Sequence, residues 1–161
     1  HGARFPLRSL VTVFLLQAVL NLLIAAPVYL AVLSPGPAAW TAWDGLGAAT
    51  WAGGLYFEAT ADAQLRAFKA EPTNRGRIMD QGLWAWCRHP NYFGDALVWL
   101  GLGVLALGVP AGAVSLYGPA LMVFFLMKVS GVPLLEKRMM QRPGYRDYAA
   151  RTPAFFPRPP R

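Results

Sequence analysis

Apolar residues run almost unbroken through four stretches of the chain, 10–33, 39–64, 92–109 and 112–135. None shows the continuous polar face that a helix on the surface of a water-soluble bundle presents. Each is long enough to cross the hydrocarbon core of a bilayer. The pattern predicts an all-α, polytopic membrane protein of about four transmembrane helices, with residues 1–161 forming a single membrane domain. Ser34, Pro35, Gly36 and Pro37 predict a tight turn between the first two spans. After the fourth span, Glu136, Lys137 and Arg138 open an amphipathic, juxtamembrane helical segment, and the proline-rich tail from Arg151 onward is expected not to be helical.

The polar interruptions carry most of the information. Gln17 and Asn21, four apart on the first span, suit hydrogen bonding between helices. In the second span, Gly45, Gly47, Gly53 and Gly54 permit close helix approach. Its far end carries Glu58, Asp62, Arg66 and Lys69 on one helical stripe, where Asp62 and Arg66 have the spacing of a salt bridge. An acid one or two turns inside lipid is costly without a purpose, which singles out Glu58. Residues 70–81 read as polar turns. Arg88, His89, Pro90, Asn91, Tyr92, Phe93, Gly94 and Asp95 then open the third span, with Pro90 suited to the first helical position and His89 or Arg88 to its cap. Free N–H groups at that helix start, beside Arg88, would suit an anion. In the fourth span, Ser130, Gly131, Val132 and Pro133 predict a break.

Charge adds a topology. Only 14% of the 161 residues are charged, against 55% hydrophobic, and the net charge is +7. Apart from Lys128, which lies within the fourth span, the basic residues fall in three segments: Arg4 and Arg8; Arg66 to Arg88; and Lys137 to Arg161. The two connections 34–38 and 109–111 carry none. Four spans put all three basic segments on one side, which the positive-inside rule makes the cytoplasm. The charge is therefore assigned to topology and membrane lipid headgroups, and no nucleic acid partner is expected. The single cysteine, Cys87, excludes an internal disulfide and leaves a zinc site unsupported, so no metal is expected. Cys87 reads as packing rather than as a nucleophile.

Glu58, Asp62, His89, Asn91, Asp95 and Glu136 all lie at the cytoplasmic ends of their spans. This topology predicts one polar cavity opening to the cytoplasm, acidic inside and basic at the mouth, suited to a cofactor with phosphates outside and a reactive head within.

At these residues the chain resembles the C-terminal half of the steroid 5-alpha-reductase family, in its bacterial branch of membrane proteins. The resemblance rests on the stretches 61–68, 82–95 and 129–138, and on Tyr145, Tyr148 and the Thr152-to-Pro157 tail. The Arg88-His89-Pro90 element is shared with membrane methyltransferases similar to isoprenylcysteine carboxyl methyltransferase, which hold S-adenosylmethionine with a later Glu and a tyrosine pair. The resemblance implies an integral protein of the bacterial inner membrane, its cofactor site facing the cytoplasm. The family's additional N-terminal spans precede the part that this chain matches, so the chain is expected to be the C-terminal part of a longer reductase-like protein.

For activity, the resemblance implies hydride transfer from NADPH to an activated carbon–carbon double bond in a lipid-soluble, steroid- or enone-like substrate. Asp62, Arg66, Arg88, His89, Asn91, Tyr92, Glu136, Tyr145 and Tyr148 are then the cofactor-binding set, with Lys69, Arg75 or Arg77 open to a 2′-phosphate. His89 would serve as a cap or a phosphate contact. Asp95 stands where the family usually has Glu, and Glu58 where the steroid enzymes have Asn; these two acids are the catalytic candidates, Asp95 as proton donor. The alternative is a methyltransferase using S-adenosylmethionine. A non-catalytic membrane scaffold is a third reading, and it would keep ligand binding unchanged when Glu58, Asp62, Asn91 and Asp95 become Ala.

Overall fold

The computed structural model describes residues 9–36 and 39–160, and among them every regular element is helical. Arg4, Arg8 and Arg161, and Pro37 and Ala38 of the first turn, lie outside the described residues. A π-helical turn, Leu10–Leu15, leads into α1 (Leu16–Ile24) and α2 (Ala26–Leu33). The long α3 (Ala42–Ala70) is followed by a 3-10 turn at Pro72–Asn74, the short α4 (Leu83–Trp86) and then α5 (Pro90–Ala106). A 3-10 turn, Gly112–Leu116, opens α6 (Tyr117–Phe124), and a π turn, Phe125–Val129, precedes α7 (Val132–Met139) and α8 (Tyr145–Arg151).

The largely helical stretch Gly112–Met139 is 28 residues long and apolar enough to cross a membrane. The first stretch is a broken pair, Leu10–Ile24 and Ala26–Leu33, bent by 52° and able to count as a second crossing. Pro27 lies at the start of α2, where its missing N–H lets the chain turn. Of the four crossings expected from the sequence, one or two are supported by length and composition among the described residues. α5 stops at 17 residues, and the hydropathy of α3 is lowered by Asp44, Glu58, Asp62, Arg66 and Lys69. Asp44 acts locally, since its carboxylate accepts from the Thr41 N–H and hydroxyl and closes the start of α3.

α3 and α5 form the backbone of the fold as an antiparallel pair in very close contact. Glycine makes this approach possible. A Cβ on Gly94 would lie 2.5 Å from the Glu58 nitrogen, one on Gly101 2.5 Å from the Trp51 nitrogen, and one on Gly54 2.6 Å from the Val98 nitrogen. Gly47 fits Leu105 in the same way, whereas Gly45 and Gly53 face open space. Gly47, Gly54 and Ala61 are spaced by seven residues, as are Gly94 and Gly101, and this spacing keeps one seam facing the partner helix.

The Ser130–Pro133 break is present, with the π turn before it and Pro133 in the first turn of α7. Gln17 and Asn21 are exposed, and their side chains reach no partner among the described residues. The tail beyond α8 is non-helical, as its prolines require, and packs as a strap. Phe155 is buried with Ala96 and Leu126, and its ring meets Phe93 edge to face at 5.9 Å.

Candidate functional site

Pro90 occupies the first turn of α5 and His89 its cap position. The cap is not a side-chain cap, because the imidazole turns away from the helix start. Its Nε2 lies 2.8 Å from Glu136 Oε1. Glu136, on α7, gathers three more contacts. Arg88 donates to it twice, Nε to Oε1 at 2.8 Å and Nη2 to Oε2 at 3.0 Å, and the Tyr145 hydroxyl donates to Oε1 at 2.9 Å. One carboxylate therefore joins the α4–α5 connection to both C-terminal helices. The arginine's fork matches the two carboxylate oxygens, a geometry that lysine cannot reproduce.

Further Arg88 donors are also occupied. Nη1 donates to the carbonyls of Ala149 and Thr152, and the Arg88 backbone N–H donates to Pro153 O. Burial works against the charge of Arg88, but bonding to Glu136 raises its pKa above the ordinary value. Tyr148 donates its hydroxyl to Trp84 O, and Trp84 Nε1 donates to Ala61 O at 2.9 Å. Burial pushes both tyrosine hydroxyls well above the usual range, so they remain neutral donors. Burial also pushes the Cys87 thiol up to about 11, in keeping with packing rather than nucleophilic chemistry.

Against this frame lies a cavity of about 660 Å³, well within the size of a small-molecule or cofactor site. Trp84, Tyr145 and Tyr148 give it aromatic walls, and Arg88 and His89 line it from the start of α5. Its rim carries Lys69, Arg75, Arg77 and Arg142, against one acid, Glu71. Such a rim suits a phosphate-bearing ligand. His89 is 2% exposed, and its Nδ1 is buried with no hydrogen-bond partner. Burial lowers the His89 pKa below its ordinary 6.5, outweighing the Glu136 contact, so the ring is neutral at pH 7.

The sequence places all the polar groups in one cavity; the structure divides them. Arg88, His89, Tyr145 and Tyr148 line the cavity, and Glu136 ties three of these together. Glu58, Asp62, Arg66, Asn91, Tyr92 and Asp95 are not part of its wall. Asp62 and Asn91 do meet, with Nδ2 donating to Asp62 Oδ1 at 3.1 Å. Glu58 lies within electrostatic reach of Asp62 and Asp95. The expected Asp62–Arg66 salt bridge is not among the ion pairs of the described residues, because the carboxylate faces α5 instead. Tyr92 stacks on His89 with ring centres 5.4 Å apart, and so supports the imidazole from behind.

At the start of α5, where an anion site is expected, three backbone positions are accounted for within the chain. Pro90 has no N–H, the Tyr92 N–H donates to Asn91 Oδ1 and the Phe93 N–H to His89 O. The exposed basic residues of the cavity stand at its rim. Arg142 belongs to this rim and was not singled out by sequence reasoning, although a cation six residues after Glu136 in a segment leading to Tyr145 is the signal that marks it. No group of His, Cys, Asp and Glu side chains suited to a metal ion occurs among the described residues.

Comparison with known proteins gives several partial likenesses, three of which follow. The chain is 30% identical over 94 residues to the probable O-methyltransferase ustE of Ustilaginoidea virens, covering 57% of this chain and 31% of that protein. It is 32% identical over 83 residues to the nickel-cobalt-cadmium resistance protein NccN of Alcaligenes xylosoxydans xylosoxydans, covering 50% of this chain and 36% of the relative. An uncharacterized protein, C594.04c of Schizosaccharomyces pombe, is 26% identical over 181 residues, covering 96% of this chain and 50% of its own length. The chain thus spans between about a third and a half of the length of these relatives. No solved structure matches it. The family described as "Protein of unknown function (DUF1295)", a steroid 5-alpha-reductase-like family, matches residues 2–152, and the chain belongs to it.

Proposed function

We propose that the chain acts in a membrane oxidoreductase that uses NADPH to reduce an activated carbon–carbon double bond in a lipid-soluble, enone-like substrate. The observation that carries this reading is the charge of the cavity rim. Lys69, Arg75, Arg77 and Arg142 face a single acid, Glu71, above aromatic walls. That balance favours a ligand bearing several phosphates over S-adenosylmethionine, whose sulfonium is cationic.

NADPH, when bound, supplies the hydride; the residues of this chain hold, orient and return a proton. The rim cations hold phosphates, and the 2′-phosphate falls to Arg75, Arg77 or Lys69. The Arg88–Glu136–Tyr145 frame fixes the wall on which the nucleoside rests. From Leu65 on the cavity wall, α3 continues about 10 Å back to Glu58 at 1.5 Å per residue. α5 runs alongside it from His89 to Asp95, so both helices lead from the cavity to the acids. The Asp62–Asn91 pair fixes their alignment, and Asp95, with Glu58 beside it, delivers the proton to the carbon next to the one reduced. The reading carries with it the four-span topology, with 39–64 and 92–109 also crossing, a bacterial inner membrane and a cofactor site on the cytoplasmic side.

A second reading, methyl transfer from S-adenosylmethionine, is favoured by the 94-residue likeness to a probable O-methyltransferase. Calorimetry on the whole chain in mild detergent, with each cofactor in turn, separates the two. NADPH binding that weakens with salt and is lost in the Arg75→Ala, Arg77→Ala double variant is the expected result. Binding of S-adenosylmethionine without NADPH would replace the reductase by the methyltransferase.

A further inference from the structure

We infer that the outer face of α7 seats one anionic phospholipid, its phosphate held by Arg138 and Arg142 and the start of its acyl chains laid along Leu134 and Leu135. This seat is separate from the cofactor cavity and is expected with NADPH or S-adenosylmethionine alike.

α7 forms the end of the apolar stretch Gly112–Met139. At about 1.5 Å per residue, its 28 residues span about 42 Å, close to the roughly 40–45 Å of a bilayer with its headgroup layers. A stretch of this length that begins in one headgroup layer ends in the other, so its last turn lies among lipid phosphates. The side chains change character at that turn. Phe124, Val129 and Leu134 are apolar and exposed, Leu134 by 62%. Lys137 and Arg138 then follow, and Arg142 comes one turn later.

Position around the helix sorts these cations. Glu136 faces inward, where Arg88, His89 and Tyr145 hold it. With about 3.6 residues per turn, Arg138 stands about 160° from Glu136 and about 40° from Leu134. Arg138 and Arg142 both line an open depression of about 460 Å³, together with Leu135, Met139 and Gln141. Lys137 does not line it, and neither does any acid. Arg138 is exposed, and its side chain has no hydrogen-bond or ion-pair partner among the described residues. Arg142 gives one N–H to the Arg77 carbonyl at 3.3 Å and keeps the rest of its fork.

A phosphodiester accepts paired N–H groups from a guanidinium, a geometry that an ammonium lacks. Leu134 and Leu135 lie on the bilayer side of Arg138, where the acyl chains begin. Free phosphate would use the arginines and leave these leucines bare. A zwitterionic lipid would bring its own cation against the two guanidinium groups. An anionic phospholipid satisfies both the basic and the apolar part of the depression. Leu135, Met139 and Arg142 also line the cofactor cavity, so a lipid bound here buttresses one of its walls from outside.

The test titrates the whole chain, in an uncharged detergent, with phosphatidylglycerol, phosphatidylcholine or inorganic phosphate. Melting temperature and native mass spectrometry read the stabilisation and the lipid retained. Phosphatidylglycerol should raise the melting temperature and leave one molecule bound, whereas the other two should do neither. Arg138→Gln should bind phosphatidylglycerol about tenfold more weakly, and Arg138→Lys should fall between it and the wild type. Lys137→Gln removes the same charge from the same helix and should bind as the wild type does. Equal losses in Arg138→Gln and Lys137→Gln would reduce the site to diffuse charge and overturn the inference. So would an equal response to phosphatidylcholine, or the full response with inorganic phosphate alone. NADPH binding by the chain without added lipid tests the reductase reading separately.

Discussion

Asp62 of α3 and Asn91 of α5 are joined by a 3.1 Å hydrogen bond between helices that run in opposite directions. The same asparagine turns its oxygen back to the Tyr92 N–H at 3.0 Å, so both ends of its amide are engaged. Asn91 therefore positions Asp62 as much as it offers itself to a ligand. In a double-mutant cycle of Asp62→Ala and Asn91→Ala, thermal or denaturant unfolding should give a coupling of about 1–2 kcal/mol. Each single variant should weaken NADPH binding while the protein still reaches the membrane fraction. Additive losses would mean that the pair contributes nothing as a pair.

The glycine seam makes a sharper prediction. Gly94→Ala and Gly101→Ala place a methyl group 2.5 Å from the backbone of the facing helix and should destabilise the chain by about 1–3 kcal/mol or more. Gly45→Ala and Gly53→Ala meet nothing within 4 Å and should be neutral, or stabilising by up to about 1 kcal/mol through helix propensity. Melting temperatures in one detergent check all four. Equal effects in the two pairs would contradict the close approach of α3 and α5.

The Glu136 contacts predict a large cost of removal. Arg88 and Glu136 side chains are only 11% and 13% exposed. Glu136→Ala leaves the arginine, the imidazole and the Tyr145 hydroxyl without their acceptor and should cost about 3–5 kcal/mol. Arg88→Lys should recover little, since an ammonium cannot reproduce the two-pronged contact. Denaturation midpoints and NADPH affinity should fall together in both variants.

Acidification should loosen the chain through His89. Burial holds the folded histidine below its ordinary 6.5, so the unfolded state takes up the proton first as the pH falls. Its contribution to stability is fully present above about pH 6.5 and is lost as the pH drops toward the folded value. The melting temperature of the wild type should therefore decline more steeply than that of His89→Gln between about pH 7 and about pH 5. Parallel slopes would show that another group governs the acid limb.

Local features were legible in the sequence because local chemistry decides them. Pro90 starts α5, Pro133 restarts the helix after the Ser130–Gly131 break, and the prolines of the tail keep it extended. The meeting of Asp62 with Asn91 and of Glu136 with the Tyr145 hydroxyl was approached through motif and topology, which bring helix ends together without fixing contacts. What escaped was the division of the polar groups between a cavity and a separate acidic stretch. That division depends on how α3 and α5 rotate about their glycine seam, and a one-dimensional pattern does not record rotation. Gly45, Gly47, Gly53 and Gly54 look alike in the sequence, yet only Gly47 and Gly54 touch α5. Arg88 was equally opaque. It reads as a cation awaiting an anionic ligand, whereas its acceptors lie 48, 61 and 64 residues further along the chain.

That last separation has a consequence for how the protein is made. Arg88 leaves the ribosome well before Thr152, and at 5–20 residues per second the wait is roughly 3–13 s. During that interval its guanidinium lacks the carbonyls that will enclose it and must stay hydrated at the membrane surface. The Trp84–His89 wall of the cavity is set only when the last helix and its strap arrive. In a chain still in synthesis the cavity would therefore close late and abruptly, after α3 and α5 have already paired.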